Sequence, residues 1–296
     1  MIGIEKRKLL NPKIDYTFKR IFGFIGNEEI TKGLISSIID DIEIKEITLD
    51  CKEILERDLQ DVKLGILDIK AILDNKVQCN IEMQMVDQSN IEERILYYWS
   101  KMYSQTVKIS KDYITSQRTI VILFTDYELN NLKEIEKYIS KWHIREEEYQ
   151  SYILTNKLEI AIIEIPKYKR YSGKNKRLDT WVKFIDKPEE LSMEDVKDNK
   201  EVEEARKLLN KISEDEHERE LQWKRELYLM DKKAIQKAGY EKGVEEGINK
   251  GIQQGMQQGE KNEKIKIAKN AIKLGLDNEI IKKITGLSKE EIEKLK

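Results

Sequence analysis

Four polar side chains between residues 68 and 84 could together hold a divalent cation and act on a phosphate ester. Asp68 and Glu82 are separated by thirteen residues, and Gln84 follows Glu82 by two. Carboxylate and amide oxygens are hard ligands that suit Mg²⁺ or Mn²⁺, and such an ion can activate water and offset charge in phosphodiester hydrolysis. Lys70 adds a cation that could offset charge as the ester is cleaved. These residue types favour metal-dependent hydrolysis.

A β-hairpin would bring these side chains together. The turn formers at 74–76 (Asp-Asn-Lys) separate two β-prone runs, and a three-residue loop there pairs Leu73 with Val77. Counting outward, Asp68 stands opposite Glu82, and the odd positions of both strands are all apolar. A two-residue loop would separate the two acids. The clean alternation therefore predicts the three-residue loop, with one apolar face and one polar face.

The polar face has a simpler explanation as well. A solvated outer face of the sheet, with its acids offset by Lys70, would show the same alternation of residue types. Two acids at this spacing, with a glutamine after the second, are not specific for a nuclease. The pattern by itself leaves both interpretations open.

Three stretches resemble the recombination-promoting nuclease (Rpn) and transposase family of the PD-(D/E)XK nuclease superfamily. They are NPKIDYTFKRIFG at 11–23, LDIKAILDNKVQCNIEMQ at 67–84 and ERILYYWSKMYSQ at 93–105. The resemblance implies Mg²⁺- or Mn²⁺-dependent DNA cleavage, with Asp68 and Glu82 as metal ligands and Gln84 in the place of the motif lysine. Because glutamine carries no charge and transfers no proton, Lys70 on the same predicted face is the candidate substitute.

The composition narrows the classes of function. The 296 residues include 54 Lys and Arg against 56 Asp and Glu, a net charge of −2, so DNA contact would need a local basic surface. The chain has only two histidines and two cysteines. These are too few for an HNH-type nuclease site, most Ser–His sites or a cysteine-rich zinc module. No signal peptide or long apolar run is evident, so we expect a cytoplasmic protein that neither is exported nor spans a membrane.

Helices and strands alternate along the first 200 residues. Apolar periodicity predicts helices at 13–22, 28–39, 90–110 and 130–141, short helices at 180–186 and 188–196, and strands at 43–49, 119–124 and 158–165. With the hairpin, these elements predict a mixed α/β sheet flanked by helices, which is the restriction-endonuclease-like PD-(D/E)XK class, in a domain of residues 1–200. On the first helix Asp15 and Lys19 are one turn apart. They form either a surface ion pair or, as the resemblance implies, part of the active-site surroundings.

Two basic stretches are candidates for contact with DNA. One is a face of the helix that follows the hairpin, and the other is 168–177 (YKRYSGKNKR), which is predicted to be a loop. Solvated charged surfaces would explain both stretches equally well. The candidate DNA-binding residues are Lys19, Arg94, Lys101, Lys169, Arg170 and Lys174.

The residues after 200 form a helical C-terminal tail of different composition. A charged helical connector at 201–238 leads to a repeat at 239–262, where glycine recurs every fourth residue. Because glycine costs a helix about 1 kcal/mol per site, the repeat is either a surface for homo-oligomer formation or a flexible spacer. A small helical module at 263–296 is similar to a helix-turn-helix, but its acidic second helix favours protein interaction over DNA binding.

The sequence therefore predicts a metal-dependent DNA endonuclease, which the resemblance links to recombination or mobile elements. The alternative is a catalytically inactive DNA-binding or assembly protein that acts through its C-terminal tail. The missing lysine and the near-neutral charge keep that alternative open. A third possibility is a mobile-element component that transfers strands rather than hydrolysing them.

Overall fold

The sheet is built outward from the predicted hairpin. The structure is a computed structural model that describes residues 8–50, 69–87, 90–106 and 116–295. Strands β2 (Ile69–Leu73) and β3 (Val77–Gln84) pair antiparallel, with Leu73 opposite Val77 and Ile69 opposite Ile81. The predicted three-residue loop and its register are confirmed over these residues. Asp68 lies outside the described residues.

The hairpin turn is fixed by side-chain chemistry. Asp74 and Asn75 both adopt left-handed backbone conformations, with φ of 47° and 56°. Aspartate and asparagine tolerate this region better than most residues do. The Asp74 carboxylate also accepts the backbone N–H groups of Lys45 and Glu46, at 3.1 and 2.8 Å. The turn thereby anchors the chain that leads into β1 (Ile47–Asp50).

Within the described residues the sheet has six strands in the order β1-β2-β3-β4-β6-β5. Strands β4 (Arg118–Thr125) and β6 (Leu158–Glu164) run parallel to β3, whereas β1, β2 and β5 (Ile139–Trp142) are antiparallel to their neighbours. The central strands β4 and β6 are buried along almost their whole length. This burial explains their continuous apolar sequences. The predicted mixed sheet is confirmed.

Helices cover both faces of the sheet. On one face, α1 (Asp15–Phe22) and α2 (Glu28–Ile38) pack over the odd positions of the hairpin, and the Phe18 and Phe124 rings lie 5.6 Å apart. On the other face, α3 (Ile91–Thr106) packs against β4 and β6 through Ile91 and Ile95. The later helices are α4 (Ile165–Tyr171), α5 (Lys176–Asp186), α6 (Met193–Val196), α7 (Lys200–Glu214), α8 (Glu216–Lys273), α9 (Asn278–Thr285) and α10 (Lys289–Glu293).

The chain divides into two compact units, residues 1–230 and residues 231–296. The first unit reaches past residue 200, because Val202, Leu209 and Ile212 of α7 are buried in the same core as the sheet. The second unit has a small core of its own, formed by Ala268, Ala271, Ile281, Leu287 and Ile292. None of the helices in the described ranges is long and apolar enough to cross a membrane.

Two predicted elements are wrong. Residues 130–141 form a 3₁₀ turn (Asn130–Leu132) and then β5, rather than a helix. The wrong prediction came from apolar residues at every third position, Leu132, Ile135 and Tyr138, which resemble one face of a helix. In the structure they lie in a turn and in the irregular residues that lead into β5. Residues 168–177 are not one loop, since α4 continues to Tyr171 and α5 begins at Lys176.

The glycine repeat is helical, because the whole of 239–259 lies inside α8. Between successive glycines stand residues such as Glu, Lys, Gln, Ile and Met, most of which favour helices and offset the cost of each glycine. The flexible-spacer interpretation is wrong at this point, whereas self-association through the repeat stays a prediction. The stops predicted at Gly275 and Gly286 are confirmed, with φ of 73° and 70°, as is the capping box from Ser288 to Glu291.

Gly33 permits close approach of α2 to its neighbours. A β-carbon on this residue would lie 2.6 Å from Cβ of Glu201 and 3.2 Å from the Trp181 ring. Such separations are shorter than van der Waals contact, and the Cβ of Glu201 is held by its own helix. Gly33 is therefore needed for the packing that supports the sheet.

We expect Gly33→Ala to lower the free energy of unfolding by about 1–3 kcal/mol, the usual cost of overpacking a core. Urea denaturation of the full chain measures this change. Gly247→Ala is the matched control, since a β-carbon there would meet no atom within 4 Å apart from its chain neighbours and its own helix backbone, and alanine favours a helix by up to about 1 kcal/mol. Equal effects of the two substitutions would contradict the packing argument.

A capping box at the start of α6 depends on a carboxylate. Asp195 accepts hydrogen bonds from Lys183 Nζ and from the Ser192 backbone N–H, each at 2.7 Å. The Lys183 ammonium first, and then Ser192, hold the pKa of Asp195 at about 2 instead of its usual 3.8. Because the folded-state pKa is depressed, the stabilisation is present above pH 3.8 and is lost as the pH falls towards 2.

Asp195→Asn should therefore cost about 1 kcal/mol at pH 7, a value set by a partly exposed capping and ion-pair interaction. The difference in stability from wild type should close between about pH 4 and pH 2. Urea denaturation at a series of pH values measures it. Asp198→Asn, at an exposed position three residues later, serves as the control and should show no such closing.

Candidate active site

Glu82 carries the centre of the site, because β3 places its carboxylate between the sheet and α3. The side chain is only 4% exposed, and its neighbour across the ladder on β4 is the apolar Leu123. Oε1 accepts hydrogen bonds from Arg94 Nη2 on α3 and from Gln84 Nε2. The solvated-face explanation is therefore wrong for Glu82.

The second carboxylate oxygen of Glu82 is buried and has no hydrogen-bond partner among the described residues. Burial raises the pKa of Glu82 above its usual range, while Arg94 and Gln84 oppose that rise and the charge of Asp15 adds to it. A buried anionic oxygen without a partner is costly. A divalent cation would supply the missing partner, and the oxygen donor fits Mg²⁺ or Mn²⁺.

Asn80 lies on the same face of β3, two residues before Glu82. Its side chain is 1% exposed, and neither amide atom has a hydrogen-bond partner in the described part of the chain. Buried amides are normally satisfied, so Asn80 marks a polar space beside the carboxylate. Asn80 is not among the site residues predicted from the sequence, although its even position in the hairpin places it on the polar face. Lys70 stands directly opposite Asn80 and is exposed.

Helix α1 brings a second carboxylate towards Glu82. Asp15 is the first residue of α1, and its charge is close enough to raise the pKa of Glu82. Its carboxylate accepts hydrogen bonds from Arg225 Nε at 2.8 and 2.9 Å, and from Arg225 Nη2. Of the two interpretations offered for Asp15, proximity to the site is supported.

The first turns of α8 fix α1 in place. The Glu218 carboxylate accepts hydrogen bonds from Tyr16 Oη at 2.7 Å and from Arg20 Nε at 2.6 Å. Gln222 Oε1 accepts from Thr17 Oγ1 at 2.6 Å. These contacts, with the Arg225–Asp15 pair, join two helices that are about 200 residues apart in the chain. No local sequence signal indicated this arrangement.

The candidate DNA-binding residues lie in different surroundings. Lys19 is buried, whereas Arg94 contacts Glu82 and lies 5.6 Å from the Tyr98 ring. Lys101 is exposed on α3. The other three follow the β6 strand and are exposed at the end of α4 and in the turn after it: Lys169, Arg170 and Lys174. Arg170 also pairs with Glu128 at 2.8 Å.

Of the two candidate metal ligands the structure describes Glu82, and Asp68 lies outside the described residues. Within the described ranges no group of three or more His, Cys, Asp or Glu side chains is arranged to hold a metal ion. The shared site of Asp68 and Glu82 thus stays a prediction.

A family model described as "PD-(D/E)XK nuclease family transposase" matches residues 12–239, which is more than half of the chain. The chain belongs to this family. The match includes α1, the hairpin with Glu82, and α8 as far as Gly239, a range that contains Arg225. The resemblance to the Rpn and transposase family and the α/β fold class are both confirmed.

A second family model, "Rpn/YhgA-like nuclease family, C-terminal HTH domain", matches residues 261–296. This match supports DNA binding by the C-terminal module. The acidic sequence of α10 had instead favoured protein interaction. Searches of curated proteins and of solved structures gave no match. The two family models therefore identify a nuclease-family core and a C-terminal helix-turn-helix module.

The Arg225–Asp15 pair should stabilise the first unit. The two side chains are 14% and 16% exposed, so removing the cation leaves a largely buried carboxylate unpaired. We expect Arg225→Met to lower the free energy of unfolding by about 3 kcal/mol. Lys224→Met is the control, because its pair with Glu220 is more exposed and should be worth under about 0.5 kcal/mol. Urea denaturation of both variants distinguishes the two cases.

Proposed function

We propose that the protein is a divalent-metal-dependent DNA endonuclease that hydrolyses phosphodiester bonds, in the setting of recombination or mobile-element (transposase-like) activity. The observation that carries this proposal is the buried Glu82 carboxylate, which keeps one oxygen without a partner in the described part of the chain. A carboxylate that served only the fold would be expected to have both oxygens satisfied. Membership of a nuclease family gives the unsatisfied oxygen a chemical purpose.

Asp68 and Glu82 are the proposed ligands of Mg²⁺ or Mn²⁺. The hairpin ladder pairs Ile69 with Ile81, and its continuation by one residue would set Asp68 opposite Glu82. Side chains that stand opposite each other in an antiparallel pair project to the same face, about 5 Å apart at their β-carbons. Two carboxylates at that separation can share one cation.

The neighbouring residues have separate roles in this proposal. When bound, the divalent cation supplies Lewis acidity and lowers the pKa of a coordinated water. Gln84 donates to Glu82 and so orients the carboxylate, and its amide can also orient the phosphate or the water. Arg94 holds Oε1 and thereby leaves Oε2 for the cation. Lys70, on the polar face, is a candidate for offsetting the charge that develops on the phosphate.

DNA binding in this proposal is divided between two surfaces. The helix-turn-helix module supplies one of them. The other is formed by exposed cations of the nuclease unit: Lys101, Lys169, Arg170 and Lys174. With a net charge of −2, the chain gives DNA no general attraction, so local cations should make binding weaken as salt increases.

A second candidate function is a DNA-binding protein without catalysis. The observation that favours it is Gln84 at the position of the motif lysine, together with the helix-turn-helix match. Such a protein would bind DNA but would not cleave it in any divalent cation.

Cleavage of plasmid DNA by the full chain tests the proposal. We expect wild type to cleave in Mg²⁺ or Mn²⁺, and Glu82→Gln or Asp68→Asn to lower the rate at least about 100-fold, because either change removes a ligand. Mn²⁺ at a hundred times its dissociation constant should also stabilise wild type by about 2.7 kcal/mol, and the variants by much less.

Glu93→Gln is the matched control, since it removes an exposed acid beside Arg94 and should leave both measurements unchanged. Undiminished cleavage by the Glu82 and Asp68 variants would refute the assignment. Binding of DNA by wild type without cleavage in Mg²⁺, Mn²⁺ or Ca²⁺ would favour the second candidate.

A further inference from the structure

Two neighbouring side chains of β3 bury polar atoms that nothing in the described part of the chain satisfies. Both amide atoms of Asn80 and one carboxylate oxygen of Glu82, Oε2, have no hydrogen-bond partner among the described residues. The two side chains are 1% and 4% exposed. Because a buried polar atom without a partner is costly, two such side chains in succession indicate a bound component that the chain itself does not supply.

Asn199 shows how a structural asparagine is used in the same fold. It is 5% exposed, and its Oδ1 accepts the Val202 backbone N–H at the start of α7, at 3.4 Å. Asn80 instead lies within a strand, where asparagine is disfavoured and where it caps no helix. Among the described residues it is the only one with two buried side-chain atoms left unsatisfied. Asn80 therefore lacks the structural role that explains Asn199.

Strand geometry places the Asn80 amide beside the Glu82 carboxylate. Residues two apart on a strand project to the same face, with α-carbons about 6.6 Å apart. Their ladder partners on β4 are Val121 and Leu123, which belong to the apolar cluster under α3. Asn80 and Glu82 thus both lie on the even face of the hairpin, between the sheet and α3.

The space beside Asn80 is open towards β2. Lys70 stands directly opposite Asn80 on β2 and is exposed. The buried residues of α3, Ile91 and Ile95, pack against β4 and β6 on the other side of β3. Helix α3 therefore does not cover β2 at Lys70, and an ion can approach Asn80 and Glu82 from that side.

The unsatisfied atoms fit a hydrated divalent cation. Carboxylate and amide oxygens are ligands that suit Mg²⁺ and Mn²⁺, and these ions keep several water molecules when bound. The amide nitrogen of Asn80 cannot bind the ion, but it can donate a hydrogen bond to one of those waters. A neutral amide also adds no negative charge beside the Glu82 carboxylate.

We propose that Asn80 Oδ1 binds the same divalent cation as Glu82 Oε2, and that Asn80 Nδ2 donates to a water on that cation. This inference rests on the part of the proposed function that places a divalent cation on Glu82. It adds a neutral oxygen ligand from the same strand, two residues before the carboxylate.

Mn²⁺ binding to the full chain, measured by isothermal titration calorimetry without DNA, tests the proposal. We expect Asn80→Val to raise the Mn²⁺ dissociation constant at least about 10-fold, a usual loss when a group that supports a metal is removed. Without metal its melting temperature should equal or exceed that of wild type, because an unsatisfied amide is replaced by an apolar side chain that favours strands. Asn80→Asp keeps an oxygen ligand and should bind Mn²⁺ within about 3-fold of wild type, or more tightly.

Asn199→Val is the matched control, since it removes a buried asparagine far along the chain from the site. It should lower the melting temperature through loss of the helix cap, and leave the Mn²⁺ dissociation constant unchanged. If Asn80→Val does not fold, Asn80→Ala replaces it. The comparison with Asn80→Asp is then made at a temperature where both variants are folded.

A cysteine at position 80 distinguishes direct binding from an indirect effect on Glu82. Thiolates prefer soft metal ions, so Asn80→Cys should bind Cd²⁺ and show an ultraviolet thiolate-to-metal absorption band. Wild type, which contains Cys51 and Cys79, gives the baseline. Adding Glu82→Gln to Asn80→Cys should weaken Cd²⁺ binding at least about 10-fold if the two side chains share one ion.

The outcomes separate this inference from the proposed function. Wild-type Mn²⁺ affinity in Asn80→Val, as expected if Asn80 holds only a buried water, would overturn the role of Asn80. So would the absence of a Cd²⁺ band above baseline in Asn80→Cys. In both cases Mn²⁺-dependent cleavage that is lost in Glu82→Gln leaves the endonuclease standing. Mn²⁺ binding that depends on Asn80, without cleavage of DNA, would support the metal site and overturn the endonuclease. A wild type that binds no Mn²⁺ overturns both.

Discussion

The register of the β2–β3 hairpin is the constraint on which the site depends. Because side chains alternate along a strand, a slip of one residue would turn Glu82 into the core and Ile81 towards α3. The left-handed turn at Asp74 and Asn75 prevents that slip, and the backbone N–H groups held by Asp74 reinforce it. Buried apolar residues on the odd face then make the register strongly preferred. A few residues at the turn thus determine which side chains of the hairpin lie on each face of the sheet.

Burying Asn80 and Glu82 of the polar face has a cost that the fold alone does not explain. Asn80 and Glu82 lie under α3 beside apolar neighbours of β4, where a leucine or valine would pack better. Arg94 offsets part of the cost by pairing with Glu82. Polar groups that are buried and only partly satisfied are expected where function, rather than stability, selects the residue.

Structural features that depend on residues adjacent in the sequence could be predicted, whereas features that depend on residues far apart in the sequence could not. The hairpin loop, the end of β6 at Pro166 and the caps at Gly275 and Ser288 each depend on a few adjacent residues. The helix predicted at 130–141 is wrong because the spacing of Leu132, Ile135 and Tyr138 fits both a helix and a turn followed by an edge strand. The polar face was predicted, but its burial depends on how α3 packs. Arg225 is 210 residues from Asp15, so only the folded chain pairs them.

Helix α1 and the residues just before it are held by contacts with helices beyond residue 200. Leu10 N donates to Ser213 Oγ at 2.9 Å, Asn11 N donates to Gln222 Oε1 at 2.9 Å, and Arg225 holds Asp15. A candidate active site needs rigid support for its side chains, and here the support of α1 comes from α7 and the first turns of α8. The family match ends at residue 239, beyond these contacts. The start of α8 is therefore part of the nuclease-family core, and the position of Asp15 and Lys19 depends on it.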